Sequence, residues 1–310
     1  MVQAQGASQQ LAANSMTKAS SLISTAANHN IQCQPRFLFG LKGDVKNNIF
    51  FLEDNVVCYP CGHNVVVYYM NEKMQRYIPG IEGSQGITAM GLSSSRSQIA
   101  VCEQSTNAIC TVYSIGRLLE MSREKRSTTI FEINNKKRKV LCSTDDPARK
   151  FVSVAFCDKN EKLLVTASGG AEARVIIWNW EKQRCLQYCD LLPKPNQTVT
   201  QVSFSNLDPS VVVVTGNEHY RYLKQDGNAL KIQQVGINRR ENETYFSQNY
   251  TCHAWLPDGR FFICNDQGQI LIMEPTGDYK GFTAGDPKKE SLPIWAVATF
   301  TGSAPDQGNP

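Results

Sequence analysis

Beyond about residue 35, apolar residues come in short runs separated by polar turns, and the order of runs repeats. Five segments end on a bulky residue, at Phe51, Leu92, Phe156, Phe204 and Trp255. After each comes a polar turn and a second run, in order NVVCY, QIAVC, KLLVTAS, SVVVVTG and RFFICN. Third runs follow as VVVYYM, AICTVYS, RVIIWNW, HYRYLK and QILIMEP. Runs of four to eight residues rich in Val, Ile, Phe and Tyr, bounded by Gly, Pro, Asn, Asp or Ser, read as β-strands. The pattern therefore predicts an all-β chain built from one repeating unit.

The bulky anchors are spaced by 41, 64, 48 and 51 residues. A period at or above about 40 to 45 residues, with several strands per unit, is that of a WD-repeat β-propeller blade. Residues 151–182 carry the pattern best, and their third strand closes on Trp178-Asn179, where the repeat has Trp-Asp. Elsewhere that place holds Tyr69-Met70, Tyr113-Ser114 and Met273-Glu274, with the equivalent in the fourth unit near Tyr222-Leu223. A large side chain at this place fills the wedge between neighbouring blades, so Trp178 is expected to pack and to perform no chemistry. A β-sandwich also produces short apolar runs. The recurrence of the whole order of elements favours the propeller.

The fold class expected is thus an all-β WD-repeat propeller of about five degenerate blades plus the first strand of a sixth, incomplete or open. The blades fall near residues 37–80, 81–145, 146–195, 196–245 and 246–290, within a propeller domain of 35–300. Leu292 to Gly302 reads as the sixth blade's first strand. Residues 1–34, rich in Ser, Ala, Gln and Asn, read as a disordered leader, and 301–310 as a tail. Five blades and a fraction should leave an apolar flank, so the chain is expected to be a fragment or a short product that needs a partner.

Composition changes this picture little. Hydrophobic residues make up 41% and the net charge is +4, a mild value that selects no class of partner. No run approaches eighteen apolar residues, so no membrane partner is expected. The eleven cysteines are scattered among apolar neighbours and read as buried thiols. Cys58, Cys61 and His63 lie within six residues, but a structural zinc site needs four ligands and no second pair has matching spacing. No metal or other cofactor is expected. Ser168-Gly169-Gly170 falls between strands and reads as a turn. No nucleophile elbow, metalloprotease helix or phosphate-cradling loop occurs, and no histidine has a carboxylate partner in sequence. The chain is not expected to be an enzyme.

One charged feature stands apart. The second blade is lengthened by Gly116 to Asn135, then continues into Lys136, Lys137, Arg138 and Lys139. Such a run is a candidate contact for an acidic partner. It also suits an exposed loop entering an outermost strand, where lysines discourage edge pairing. Nucleic acid is not expected, because no aromatic residues are interleaved for base stacking.

Several peptides resemble one family. They are Phe39 to Phe50, Tyr77-Ile78-Pro79-Gly80 with Ser84-Gln85-Gly86, Arg138 to Leu141, Trp178 with Trp180 to Gln183, Gln201 to Ser205, and Val214 to Asn217. In order and over about residues 37–300, they are similar to the amino-terminal WD-repeat region of the cilia- and flagella-associated protein 57 family. The resemblance implies a non-enzymatic adaptor on the doublet microtubules of the ciliary or flagellar axoneme, helping to position inner-arm dynein and regulatory complexes. In that family the chain continues into further blades, a second propeller and a coiled coil through which it self-associates. The leader and the 116–135 insertion depart from the family pattern. The alternative reading is a general WD-repeat scaffold in cytoplasmic or nuclear complexes.

Overall fold

The computed structural model describes residues 37–116, 138–142, 148–170, 173–191, 193–235, 248–284 and 292–299. The leader at 1–34, the tail at 301–310 and the insertion beyond Gly116 lie outside the described residues. Among the described residues, twenty strands form five four-stranded sheets, each an antiparallel meander in chain order.

The first sheet holds β1 (Phe50–Glu53), β2 (Val56–Cys61), β3 (Asn64–Tyr69) and β4 (Met74–Pro79). The second holds β5 (Gly86–Leu92), β6 (Gln98–Gln104), β7 (Ile109–Ser114) and β8 (Lys139–Cys142). The third comprises β9 (Phe151–Phe156), β10 (Leu163–Ser168), β11 (Arg174–Asn179) and β12 (Arg184–Asp190). The fourth comprises β13 (Thr198–Phe204), β14 (Val211–Asn217), β15 (His219–Asp226) and β16 (Ala229–Gln233). The fifth comprises β17 (Tyr250–Trp255), β18 (Phe261–Asn265), β19 (Ile270–Met273) and β20 (Tyr279–Ala284). Four of the five anchors end the first strand of their sheet, as expected. Phe51 instead sits second in the short β1 and is exposed. The fourth strand of each blade carries weaker apolar patterning, and β12 alternates exposed and half-buried residues along its length.

Middle strands of the second, third and fourth sheets are apolar on both faces because each of these sheets packs against a neighbour on either side. Val211 to Val214 are all buried, and they divide by parity: Val212 and Val214 join a cluster with the third sheet, Val211 and Val213 one with the fifth. This is the physical reason for the unbroken valine run in the sequence. Burying one such side chain is worth about 1.5–3 kcal/mol, so each inter-blade wedge is a principal store of stability.

The Trp-Asp place behaves as a wedge in the second to fifth blades: Tyr113, Trp178, Leu223 and Met273 are buried, each in the cluster facing the preceding sheet. In the first blade Tyr69 is half-buried and packs instead on the cluster shared with the second sheet. In the fourth blade register decides the residue: Leu164 lies opposite Trp178, and Val212, in the matching position, lies opposite Leu223. Trp178 donates its indole N–H to Thr166 Oγ1 at 2.9 Å and meets the Phe151 ring edge-on at 6.5 Å. Asn179 Oδ1 accepts from Lys182 N at 3.0 Å and so holds the following turn.

First strands of adjacent sheets run side by side and approach closely. A Cβ on Gly91 of β5 would stand 2.9 Å from Val154 O of β9, closer than real side chains sit. Hydroxyls stitch these strands together. Thr88 Oγ1 donates to Phe151 O at 2.6 Å, Ser153 Oγ accepts from Val202 N at 3.0 Å, and Thr200 Oγ1 donates to Tyr250 O at 3.3 Å. The same link continues past the fifth sheet, where Thr251 Oγ1 donates to Ile294 O, and Thr299 Oγ1 donates to Trp255 O at 2.8 Å. Residues 292–299 form no strand, yet these contacts lay them along β17 in the same direction. They occupy the place that a sixth blade's first strand would hold.

Candidate functional site

The first strands converge on a cavity of about 1060 Å³. It is lined by residues 43–49, by Val152 of β9, Val199 and Thr200 of β13, Tyr250 and Thr251 of β17, and by Trp295 to Ala298. Val45 and Lys46 belong to the stretch that leads into β1, and Lys46 makes a parallel bridge with Ala89 of β5. From there Lys46 reaches the far side: its Nζ donates to Thr251 O at 2.8 Å and to Trp295 O at 3.2 Å. Among the described residues no carboxylate pairs with this ammonium. Burial pushes its pKa down, and the nearby Cys252 and Cys264 thiols push it back up. Lys46 thus ties the start of the first blade to the fifth.

Exposed large apolar side chains gather at the same seam. Ile49 and Trp295 line the cavity, with Trp295 69% exposed, and Phe51 and Leu292 lie two and three residues from them along the chain. Phe37 and Phe39 stack at 6.2 Å on the stretch that crosses the first sheet, where Gln75 bonds both backbone groups of Leu38. Large apolar groups left exposed together mark contact surfaces.

The basic run divides. Lys136 and Lys137 lie outside the described residues. Arg138 is half-buried and turned inward, its charge facing the buried Glu103 and its guanidinium hydrogen-bonding Tyr113. Glu103 accepts from Ile81 N at 3.0 Å, and burial raises its pKa, with the Ile81 and Ser84 hydrogen bonds, Arg138 and His63 acting against the rise. Lys139 is exposed as the first residue of β8, opposite Val112. In the described part of the run, then, one cation is committed to the fold and one faces outward.

The Cys58, Cys61, His63 group is separated by the strand that carries it. Side chains three apart in a strand point to opposite faces. Cys58 is buried in the core between the first two sheets, its thiol pushed up to about 12 by burial, while Cys61 is half-buried and donates to Phe39 O at 3.4 Å. Among the described residues no group of three or more His, Cys, Asp or Glu is placed to hold a metal ion. No helix among them is long and apolar enough to cross a membrane.

Sequence patterning missed a polar lock between the fourth and fifth blades. Ser203 Oγ lies 2.7 Å from His253 Nε2, Thr215 Oγ1 2.8 Å from Nδ1, and Trp255 Nε1 donates to Ser203 Oγ at 2.8 Å. Gln201 pairs with the His253 backbone through both ends of its amide, at 2.9 and 3.1 Å. A Ser–His pair is also the start of a nucleophilic site. Here the ring is buried, both nitrogens are occupied by hydroxyls, and burial lowers the ring pKa to about 3. The imidazole is neutral and serves as a connector. The partners are some 40 to 50 residues away in sequence, so only the register of the sheets brings them together.

No protein-family model matches the chain. The mouse protein "Cilia- and flagella-associated protein 57" is 31% identical over 257 residues, which cover 82% of this chain and 18% of that protein. This chain is a homologue of cilia- and flagella-associated protein 57. "Cilia- and flagella-associated protein 57 A" of Tetrahymena thermophila is 25% identical over 301 residues, covering 86% of this chain and 23% of the relative. Mouse "Echinoderm microtubule-associated protein-like 1" is 21% identical over 76% of this chain and 27% of the relative. The chain spans about a fifth of the length of the two protein 57 relatives. A match over 82% of the chain takes in most of the blades just described.

Proposed function

We propose that this chain is a non-enzymatic structural adaptor of the ciliary or flagellar axoneme. It docks on doublet microtubules and helps to position inner-arm dynein and regulatory complexes. The observation that carries this reading is the homology to cilia- and flagella-associated protein 57 across 82% of the chain. Similarity to a protein named as microtubule-associated supports the microtubule as one contact. The fold suits the role, since a ring of sheets presents loop-lined faces on a rigid frame. Lys136, Lys137 and the exposed Lys139 supply a basic contact for an acidic partner, and tubulin's acidic surface fits that chemistry, with Arg138 anchoring the run. The apolar side chains at the seam, Ile49, Phe51, Leu292 and Trp295, supply a second contact. The blade boundaries near 37–80, 81–145, 146–195, 196–245 and 246–290 define the units that act together.

The test is a tagged chain expressed in ciliated cells. Retention on axonemes after detergent extraction, and cross-links from Lys139 to tubulin or inner-arm components, are the expected results. A wholly detergent-soluble or nuclear pool would refute the axonemal reading and favour a general scaffold.

A further inference from the structure

Two pairs of cysteines face each other directly across antiparallel strands. Cys252 of β17 lies opposite Cys264 of β18, and Cys102 of β6 opposite Cys110 of β7. Directly opposed residues have Cα atoms about 4.5–5.5 Å apart, within the roughly 4.4–6.8 Å that a disulfide spans. Both pairs are closed to solvent. Their surroundings differ in a way that decides their chemistry.

Around Cys102 and Cys110 are Ala89, Ala100, Leu141, Phe151 and Trp178, and the nearest charge is the Glu103 carboxylate. Burial drives the Cys102 thiol well above its ordinary pKa, and Cys110 and Glu103 push the same way. Nothing there stabilises a thiolate.

Around Cys252 the groups favour negative charge. Cys264 donates a hydrogen bond to its sulfur, Thr251 Oγ1 lies 3.7 Å away, and the Lys46 ammonium is seated beside it on Thr251 O. The first-named bond is the largest influence, and together with Thr251 and Lys46 it lowers the Cys252 pKa against the opposing effect of burial. The Cys264 thiol is driven up by the same pairing. On its other side Cys252 contacts Ile294 O at 3.7 Å, and most side chains of 292–299 are exposed. Thr251, next to Cys252 in the chain, and Trp295 to Ala298 line the adjoining cavity, from which an oxidant as small as hydrogen peroxide would approach.

We propose that Cys252 and Cys264 form a peroxide-reactive dithiol, with Cys252 the attacking thiolate, Lys46 the cation beside it and Cys264 the resolving thiol. The Cys252 thiolate attacks one oxygen of hydrogen peroxide; the S–O bond forms, the O–O bond breaks, and the departing hydroxide is protonated to water. Sulfur loses two electrons to the peroxide and becomes a sulfenic acid. The Cys264 sulfur then attacks the Cys252 sulfur; the S–S bond forms, the S–O bond breaks, and hydroxide leaves with the Cys264 proton as a second water. In sum, two thiols and one peroxide give one disulfide and two waters. The disulfide removes the hydrogen that Cys252 Sγ donates to Ile294 O and so loosens 292–299 from β17. The site is a sensor at the seam of the ring.

The second pair is an internal control. The folded chain is exposed to hydrogen peroxide at pH 7, quenched with an alkylating reagent, and its cysteine peptides are quantified by mass spectrometry. A lowered pKa raises the thiolate fraction at pH 7 by more than it reduces the nucleophilicity of the sulfur. The Cys252–Cys264 disulfide should therefore form several-fold faster than Cys102–Cys110. In Cys264→Ser, dimedone should label Cys252, and Lys46→Met should lower the rate ratio between the pairs several-fold. If a variant loosens the fold, both pairs speed up together, which is why the ratio is read. Equal rates for the two pairs, no dimedone adduct on Cys252, or an unchanged ratio in Lys46→Met would each overturn the proposal.

Discussion

Acid should weaken this fold through its buried histidines, with His253 the clearest case. The Ser203 and Thr215 hydroxyls hydrogen-bond the two ring nitrogens in a site closed to solvent. Burial there disfavours the charged imidazolium. Burial, with a smaller contribution from Lys46, lowers the folded pKa from 6.5 to about 3. Between those values the unfolded chain holds a proton that the folded chain does not, so stability falls as pH falls through this window and is flat above about pH 7. At pH 5, roughly 1.5 units below the unfolded value, the loss is about 2 kcal/mol. His219, buried and lowered to about 4 by burial and then Arg221, adds a similar loss. The two together are a large share of a stability of roughly 5–15 kcal/mol. The buried Glu103 carboxyl and that of Asp158, whose pKa values are raised, act in the opposite direction. The assay therefore compares urea unfolding of the parent and of His253→Gln at pH 7 and pH 5. The other groups cancel in that difference, and the variant should lose about 2 kcal/mol less on acidification. Equal pH dependence in the two proteins would refute a neutral, buried His253.

Further outcomes follow from the wedges and close approaches. Trp178→Ala should cost about 3–5 kcal/mol by emptying the wedge between the second and third blades, read as a lowered urea midpoint. Thr166→Val should cost about 1–3 kcal/mol, because the Trp178 indole N–H is left without its acceptor. Gly216→Ala would place a Cβ 1.7 Å from Thr198 O, and because the obstacle is backbone, the variant should unfold at a markedly lower temperature or fail to fold. Charge reversal at Lys139 should weaken axonemal binding and flatten its salt dependence while leaving the unfolding midpoint within about 0.5 kcal/mol of the parent; unchanged binding would remove the basic run from the contact.

Legibility followed the period of the signal. The second and third strands of the middle blades were readable because both their faces are buried, which writes continuous apolar runs such as that of β14 into the sequence. The fourth strands β12 and β16 leave one side exposed and carry no comparable run. Near the fourth blade's Trp-Asp place, sequence could not choose between Tyr222 and Leu223, because adjacent residues of a doubly buried strand are both apolar. Lys136 to Lys139 were legible as a charged run, but the inward turn of Arg138 depends on Glu103 and Tyr113 of other strands.

By itself the sequence determined the repeating all-β architecture, the packing role of Trp178 and the kinship with cilia- and flagella-associated protein 57, because each of these is written in local pattern and order. Tertiary structure alone decided that Lys46 bridges to the fifth blade, that His253 is locked by Ser203 and Thr215, and that Cys252 and Cys264 share a cation. Those arrangements join residues tens to hundreds of positions apart, and only the stacking of blades around a common cavity brings them within bonding distance.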